Sequence, residues 1–443
     1  MLRKAIMTLV AGVMALAASA QNPKFHIYLC IGQSNMEGNA QIEPVDRNGV
    51  PERFRMMAAA DFSYPQRTKG EWYTAVPPLV RQGTGLTPVD WFGRTMLDNM
   101  PADETLGVVM VAVGGCKIEH LDKDYDPATV TKEADWFRGF MSQYDNKPYD
   151  RLIECAKKAQ CDGVIKGILL HQGCSNTGDP QWPAKVKKVY EDILKDLGLK
   201  AKNVPLIAGE VVTTEMGGVC GSMNSIIDCL PETVPTATVV SSKNLEQKGD
   251  GLHFTPHAYR VLGCRYAVAM LDRMGIKNPV VNYSEEKPFV PEPKPGKDDL
   301  VLSFSQFNPS IWETGTFDAA TNTFTAGKYG FGGWEFDKPL DLSGYRYIVA
   351  ELQEPQTAGT MLRISDTKDF WAQSYSREFG NGKLIVAELD GMMKPVVADG
   401  KQTGIEALNT ARIFRIGFKS DGGKPVRIKQ VFATNTDPYS VGR

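Results

Sequence analysis

Apolar runs and helical patterns alternate along the first 275 residues, and this alternation limits the fold more than any other feature. Apolar runs at 25–31, 106–113, 164–170, 205–212 and 237–241 read as short buried strands. Helical patterns follow at 87–99, 149–161, 184–197, 224–230 and 256–274. The first of these opens with Thr87 as N-cap, Pro88 in the first helical position and Asp90 three residues after the cap. Strands that alternate with helices predict an α/β domain built on a mainly parallel sheet. In such sheets ligands bind at the carboxyl ends of the strands, so the residues just after each run carry the functional interest. The stretch from Ser34 to about Gln82, rich in Pro, Gly and aromatics, reads as one long loop of the kind that shapes binding sites.

At Val281 the character changes. Residues 281–298 are rich in Pro and charge and read as an extended linker. From 299 to 443 helical periodicity is lost. Short alternating runs at 345–350, 361–364, 383–386, 414–418 and 426–428, separated by Gly, Asp and Asn turns, predict an all-β sandwich. The other end of the chain reads as a secretory leader: Arg3 and Lys4, an apolar stretch from Ile6 to Ala17, and a small-residue site at Ala18-Ser19-Ala20. The expected organisation is a leader at 1–20 cleaved after Ala20, an α/β domain at 21–280, a linker at 281–298 and a sandwich at 299–443. A secreted or periplasmic protein is implied.

Formal net charge is −2, and no basic excess points to nucleic acid or an anionic membrane. After the leader no apolar stretch is long enough to span a bilayer. The eight cysteines suit an oxidising compartment, but their spacing does not suggest a dense disulfide framework, and only Cys220 and Cys229 look like a local pair. No paired Cys-x-x-Cys motifs call for zinc, and neither a metal nor an organic cofactor is expected.

Four strand ends carry reactive or polar residues. The first run stops at Gly32, and Gln33-Ser34-Asn35 follows. On this stretch alone Ser34 reads equally as a helix cap and as a nucleophile. The chain has five histidines: His26, His120, His171, His253 and His257. His26 lies inside the first strand and reads as structural. Asp250-Gly251-Leu252-His253 places a carboxylate and an imidazole on one short loop at the same sheet edge as Ser34. There the carboxylate can hold the ring while its other nitrogen takes the serine proton. Asp250 as a turn residue and His257 as the relevant imidazole remain open. Gly114-Gly115 and Gln172 end two further strands. With the Ser34 N–H they are candidates for an oxyanion hole, although Gly115 reads equally as a chain turn and Gln172 as a backbone partner. Glu37 and Asn39 lie near Ser34 but read as easily as helix-capping residues, and Glu37→Ala is not expected to abolish turnover. Trp72, Tyr73 and Trp91 are candidate sugar-stacking aromatics, with a core role equally open for Trp91. In the sandwich Trp312, Trp334, Trp371 and Tyr375 are candidates for sugar stacking or for core filling.

Taken together, these blocks resemble a known family. Gly32-Gln33-Ser34-Asn35-Met36 resembles the nucleophile block of the SGNH hydrolases, in the group of carbohydrate esterase family 6 and the sialate O-acetylesterases. Gly114-Gly115, His171-Gln172-Gly173 and Asp250-Gly251-Leu252-His253-Phe254 are similar to its second, third and last blocks, over about residues 24–275. The resemblance implies a flavodoxin-like three-layer α/β/α domain with Ser34 as nucleophile, His253 as base and Asp250 as its partner. It further implies an oxyanion hole from Ser34, Gly115 and Gln172. The family's third block continues Gln-Gly-Glu-Ser, whereas this chain has Gln172-Gly173-Cys174-Ser175, which leaves Asp250 to orient the histidine. The implied activity is a serine carbohydrate O-acetylesterase. The expected substrate is acetylated plant polysaccharide, xylan first, with the sandwich as a carbohydrate-binding module. The alternatives are a sialate O-acetylesterase on host glycans and a non-catalytic glycan-binding protein. A sialate carboxylate would favour a loop arginine, and Arg53, Arg55, Arg67 and Arg81 are available.

Overall fold

The computed structural model describes residues 21–286, 293–328, 330–356, 359–368, 373–380, 382–398, 401–420 and 423–438. The leader with its cleavage site, Trp371 and residues 287–292 of the Pro-rich stretch lie outside the described residues.

The α/β part is built on one sheet of seven strands: β1 (Asn22–Gly32), β2 (Phe54–Met57), β3 (Trp72–Thr74), β4 (Thr105–Ala112), β5 (Gly163–His171), β6 (Leu206–Gly209) and β7 (Ala237–Val240). Their spatial order is β3-β2-β4-β1-β5-β6-β7. All neighbours run parallel except β3, which is antiparallel to β2. The region expected to be a single loop therefore adds two strands to the sheet edge. Runs of four and three residues are too short to show a period in sequence, and tertiary pairing forms them.

Helices cover both faces. The helices used below are α1 (Ser34–Glu37), α2 (Pro88–Asp98), α3 (Asp135–Ser142), α4 (Pro148–Asp162), α5 (Trp182–Asp196) and α6 (Pro256–Arg273). In β1, Ile27, Leu29 and Ile31 pack with α4 and α5, while Tyr28 and Cys30 pack with α2 and α6 on the other face. This alternation through the buried stretch His26–Gly32 of the strand is the three-layer arrangement expected. The N-cap of α2 is as read: the Thr87 side chain accepts from the Val89 N–H, and the Asp90 carboxylate accepts from the Thr87 N–H. Gly263 in α6 lies so close to α2 that a Cβ there would come within 2.2 Å of the Pro88 carbonyl oxygen.

The C-terminal part is all β. The strands of its two main sheets are β8 (Asn308–Trp312), β9 (Thr316–Asp318), β10 (Thr323–Thr325), β11 (Phe331–Leu340), β12 (Tyr347–Leu352), β13 (Met361–Ser365), β14 (Tyr375–Glu378), β15 (Leu384–Glu388), β16 (Ile413–Lys419) and β17 (Pro425–Thr434), with a short strand at Leu300–Val301 on β17 and a separate hairpin of Met393–Ala398 and Lys401–Ala407. One sheet has the order β9-β10-β17-β12-β15 and the other β8-β11-β16-β13-β14. Side chains from both sheets, among them Phe324, Trp334, Ile348, Leu362, Phe418 and Val431, form one buried core between them. Trp334 is thus a core residue with its indole N–H on the Ser303 carbonyl at 2.7 Å. Trp312 is exposed and Tyr375 is half-buried.

Candidate active site

The register of the sheet brings three strand ends to one level. Gly32, the last residue of β1, stands opposite Ala112 on one side and His171 on the other. The residues that follow, Ser34, Gly114-Gly115 and Gln172-Gly173, therefore share the same edge. Gly32 allows this crowding, because a Cβ there would come within 2.2 Å of the His171 carbonyl oxygen. The chain turns at Gln33 into the single turn of α1, with Ser34 as its first residue.

His253 reaches the same edge on the loop before α6. Its Nε2 lies 2.8 Å from Ser34 Oγ and its Nδ1 lies 2.7 Å from Asp250 Oδ2. A carboxylate at Asp250 only accepts, so Nδ1 carries the proton and Nε2 accepts from the serine hydroxyl. The other Asp250 oxygen, Oδ1, accepts from the Leu252 and His253 N–H groups, both at 2.9 Å. Burial opposes ionisation of Asp250, but the His253 ring and these two N–H groups outweigh it and hold the carboxyl at about 2. Asn35 locks the two segments together: its Nδ2 donates to the Leu252 carbonyl at 3.0 Å, and its Oδ1 accepts from the Tyr259 hydroxyl at 2.6 Å.

Ser34, His253 and Gly115 line one cavity of about 550 Å³, with Gln33, Glu37, Arg81, Trp136, Phe140, Cys174 and Cys220 around them. Gly115 has φ +78°, and a Cβ on it would come within 2.6 Å of the Trp136 ring. Trp136, on α3, lines the cavity, is 57% exposed and makes edge contacts with Phe137 and Phe140. Glu37 is buried. Its Oε1 accepts from Arg81 Nε (3.0 Å) and Nη2 (2.6 Å) and from the Gly114 N–H (3.1 Å). Burial pushes the Glu37 carboxyl up, against the pull of Arg81. The Arg81 guanidinium also lies 4.1 Å above the Phe140 ring.

Gln172 is not brought to the pocket. It is 1% exposed, its Oε1 accepts from the Trp182 indole, and its Nε2 donates to Asn176 Oδ1 (2.8 Å), Cys116 O (3.2 Å) and Gln33 Oε1 (3.2 Å). It supports the pocket from beneath. The amide that lines the cavity is Gln33, whose Oε1 also accepts from the Gly173 and Ser175 N–H groups.

Other expectations are corrected. Cys220 and Cys229 are free thiols; Cys229 donates to the Ser225 carbonyl at 3.3 Å. The neighbour of Cys220 is Cys174, whose carbonyl its Sγ approaches at 3.7 Å. The hydrogen bond between these two thiols raises the Cys174 thiol and lowers that of Cys220. Trp72 packs on Phe25 and donates to Asp162, Tyr73 accepts from the Thr68 N–H, and Trp91 donates to the buried Asp46. None of the three lines the pocket. His257 faces Tyr283, with Nδ1 at 2.9 Å from its hydroxyl, and the buried His171 pairs with Tyr266. Arg53, Arg55 and Arg67 donate to backbone carbonyls away from the cavity. Among the described residues no group of three or more His, Cys, Asp or Glu could hold a metal ion. Among them, too, no helix is long and apolar enough to cross a membrane.

A probable carbohydrate esterase of Arabidopsis thaliana is 25% identical over 262 residues, which is 56% of this chain and 91% of that protein. A solved Arabidopsis thaliana structure aligns with a TM-score of 0.44 at 21% identity, over 57% of this chain and 99% of that one. A solved carbohydrate acetylesterase from Xanthomonas citri aligns with a TM-score of 0.41 at 15% identity, over 93% of this chain and 80% of that one. Residues 24–272 match the family described as carbohydrate esterase, sialic acid-specific acetylesterase, and the chain belongs to that family.

Proposed function

We propose that this carbohydrate esterase removes O-acetyl groups from glycans by acyl transfer through Ser34. The single observation that carries the reading is the hydrogen-bonded row Ser34–His253–Asp250, which opens into a cavity of about 550 Å³ beside Gly115. His253 Nε2 takes the serine proton as Oγ attacks the acetyl carbonyl, and Asp250 stabilises the imidazolium. The main-chain N–H groups of Ser34 and Gly115 face the developing oxyanion. Each such donor contributes about 2.7–4 kcal/mol to lowering the barrier. The sugar hydroxyl leaves with the proton from His253. Water, deprotonated by the same imidazole, then releases acetate and restores Ser34. Secretion through the leader at 1–20 belongs to the same reading, since O-acetylated glycans lie outside the cytoplasm.

The family description supports O-acetylated sialic acid as the substrate over acetylated xylan. Neutral polysaccharide is the second reading, and one observation favours it. Of the four arginines considered, Arg81 lines the pocket, and Glu37 already neutralises it. Acetate release from O-acetylated N-acetylneuraminic acid and from acetylated xylan, by the enzyme and by Ser34→Ala, tests both. Release from the sialate that vanishes in the variant supports the first reading, and release from xylan alone supports the second. Turnover retained in Ser34→Ala contradicts the mechanism.

A further inference from the structure

A second cavity, of about 850 Å³, borders the Ser34 pocket: Gly38, Asn39, Gly83 and Thr84 line both. One wall of that cavity belongs to the α/β part and includes Arg47 and Lys248. The other belongs to the sandwich and includes Arg363 on β13, Tyr375 on β14 and Met393. The walls are held together by ion pairs. Glu43 takes Arg377 of β14 on one oxygen and Arg260 of α6 on the other, both at 2.6 Å, and Arg260 also pairs with the fully buried Asp46 at 2.8 Å. Lys248 donates to the Asn39 carbonyl at 3.1 Å and so ties the cleft floor to the loop that carries Asp250.

We propose that this cleft binds the uncharged sugars of the glycan that bears the acetyl ester, so that the sandwich is a wall of the substrate site. The inference rests on the esterase reading above and deepens it. Because four residues line both cavities, an occupant of the cleft lies beside the Ser34 pocket, close enough to belong to the same glycan as the reacting ester. Four basic and four acidic side chains line the cleft, so a polyanion meets no net positive charge there. Paired charges instead offer donors and acceptors to hydroxyl groups, and Tyr375 and Met393 supply apolar surface for a sugar face. The two cavities each lie within the usual ~300–1,000 Å³ of a small-ligand site, enough for the acetylated residue in one and its neighbours in the other.

The test compares acetate release from short and long substrates. These are O-acetylated N-acetylneuraminic acid against O-acetylated sialyllactose, and acetylated xylose against acetylated xylotetraose, with 4-nitrophenyl acetate as a substrate that carries no glycan. The wild-type enzyme prefers the longer member of the pair it accepts, by roughly tenfold or more in kcat/KM. Tyr375→Ala and Arg363→Ala remove most of that preference and lower hydrolysis of the aryl ester much less. Tyr375 also packs toward the sandwich core, so Met393→Glu, at a side chain 38% exposed, gives the same readout without disturbing packing. A preference for length that survives all three substitutions, or none in the wild type, overturns the cleft assignment alone. Hydrolysis of 4-nitrophenyl acetate with no acetate from any of the sugars overturns the glycan O-acetylesterase reading beneath it.

Discussion

Glu37 and Arg81 form an ion pair at 2.6 Å beside the turn that carries Ser34, with both side chains no more than 7% exposed. The same carboxylate oxygen accepts from the Gly114 N–H, so the pair fixes the turn that presents Gly115. Removing one partner of such a buried pair strands the other charge and costs about 3–5 kcal/mol. Glu37→Ala, expected from the sequence not to abolish turnover, should therefore lower the urea midpoint strongly and reduce kcat. The double variant Glu37→Gln/Arg81→Met leaves no unpaired charge and should recover much of the stability.

The pH dependence of stability carries the mark of Asp250. Its carboxyl sits at about 2 in the folded protein, against about 3.9 for a free aspartate. A depressed pKa adds stability that is present above the unfolded value and is lost as pH falls through the folded one. Urea unfolding of the wild type and Asp250→Asn should therefore differ most at pH 5–7, and the difference should shrink between about pH 4 and pH 2. In activity assays at neutral pH, Asp250→Asn should lose most turnover, because Cys174 supplies no second carboxylate to orient His253.

Trp136 lines the pocket beside Gly115 and is 57% exposed. Trp136→Ala should raise KM for an acetylated sugar by about tenfold, some 1.4 kcal/mol, with kcat little changed. That pattern is the signature of binding shared by the ground and transition states. Steady-state kinetics on a sugar ester and on 4-nitrophenyl acetate separate this effect from a general loss of structure.

Gln172 gives a contrasting case. Its amide is engaged with Trp182, Asn176, Cys116 and Gln33, an arrangement that favours a role in the pocket floor over one as an oxyanion donor. Gln172→Leu should lower Tm clearly, since it leaves the Trp182 indole N–H buried without an acceptor. Its kcat should fall far less than the ~10²–10³ expected for loss of an oxyanion donor. Thermal unfolding and kcat measured on the same preparation decide between the two roles.

How far the sequence could be read varies residue by residue. Apolar runs of five to eight residues marked the central strands, and the ends of those runs showed which side chains meet, because a parallel sheet collects its strand ends at one edge. Ser34, Asp250, His253 and Gly115 fall there. The side-chain direction of Gln172 was not readable, since one residue past a strand the chain can turn toward the pocket or away from it. Trp136 lies on a helix of eight residues in a stretch with no clear period, so nothing in the sequence marked it as part of the pocket. The Glu37–Arg81 pair joins residues 44 apart across the region read as a loop, and no local pattern reports such a contact. Cys220 and Cys229 were matched by nearness in sequence, whereas folding brings Cys220 to Cys174.

The central claim is that Ser34 is the nucleophile activated by His253. The most direct measurement is intact-protein and peptide mass spectrometry after reaction with a fluorophosphonate, on the wild type, Ser34→Ala and His253→Ala. The account predicts one adduct, on the peptide carrying Ser34, formed in step with loss of acetate release, absent in Ser34→Ala and strongly slowed in His253→Ala. An adduct on another residue that accompanies inactivation, or full esterase activity in Ser34→Ala, would contradict it.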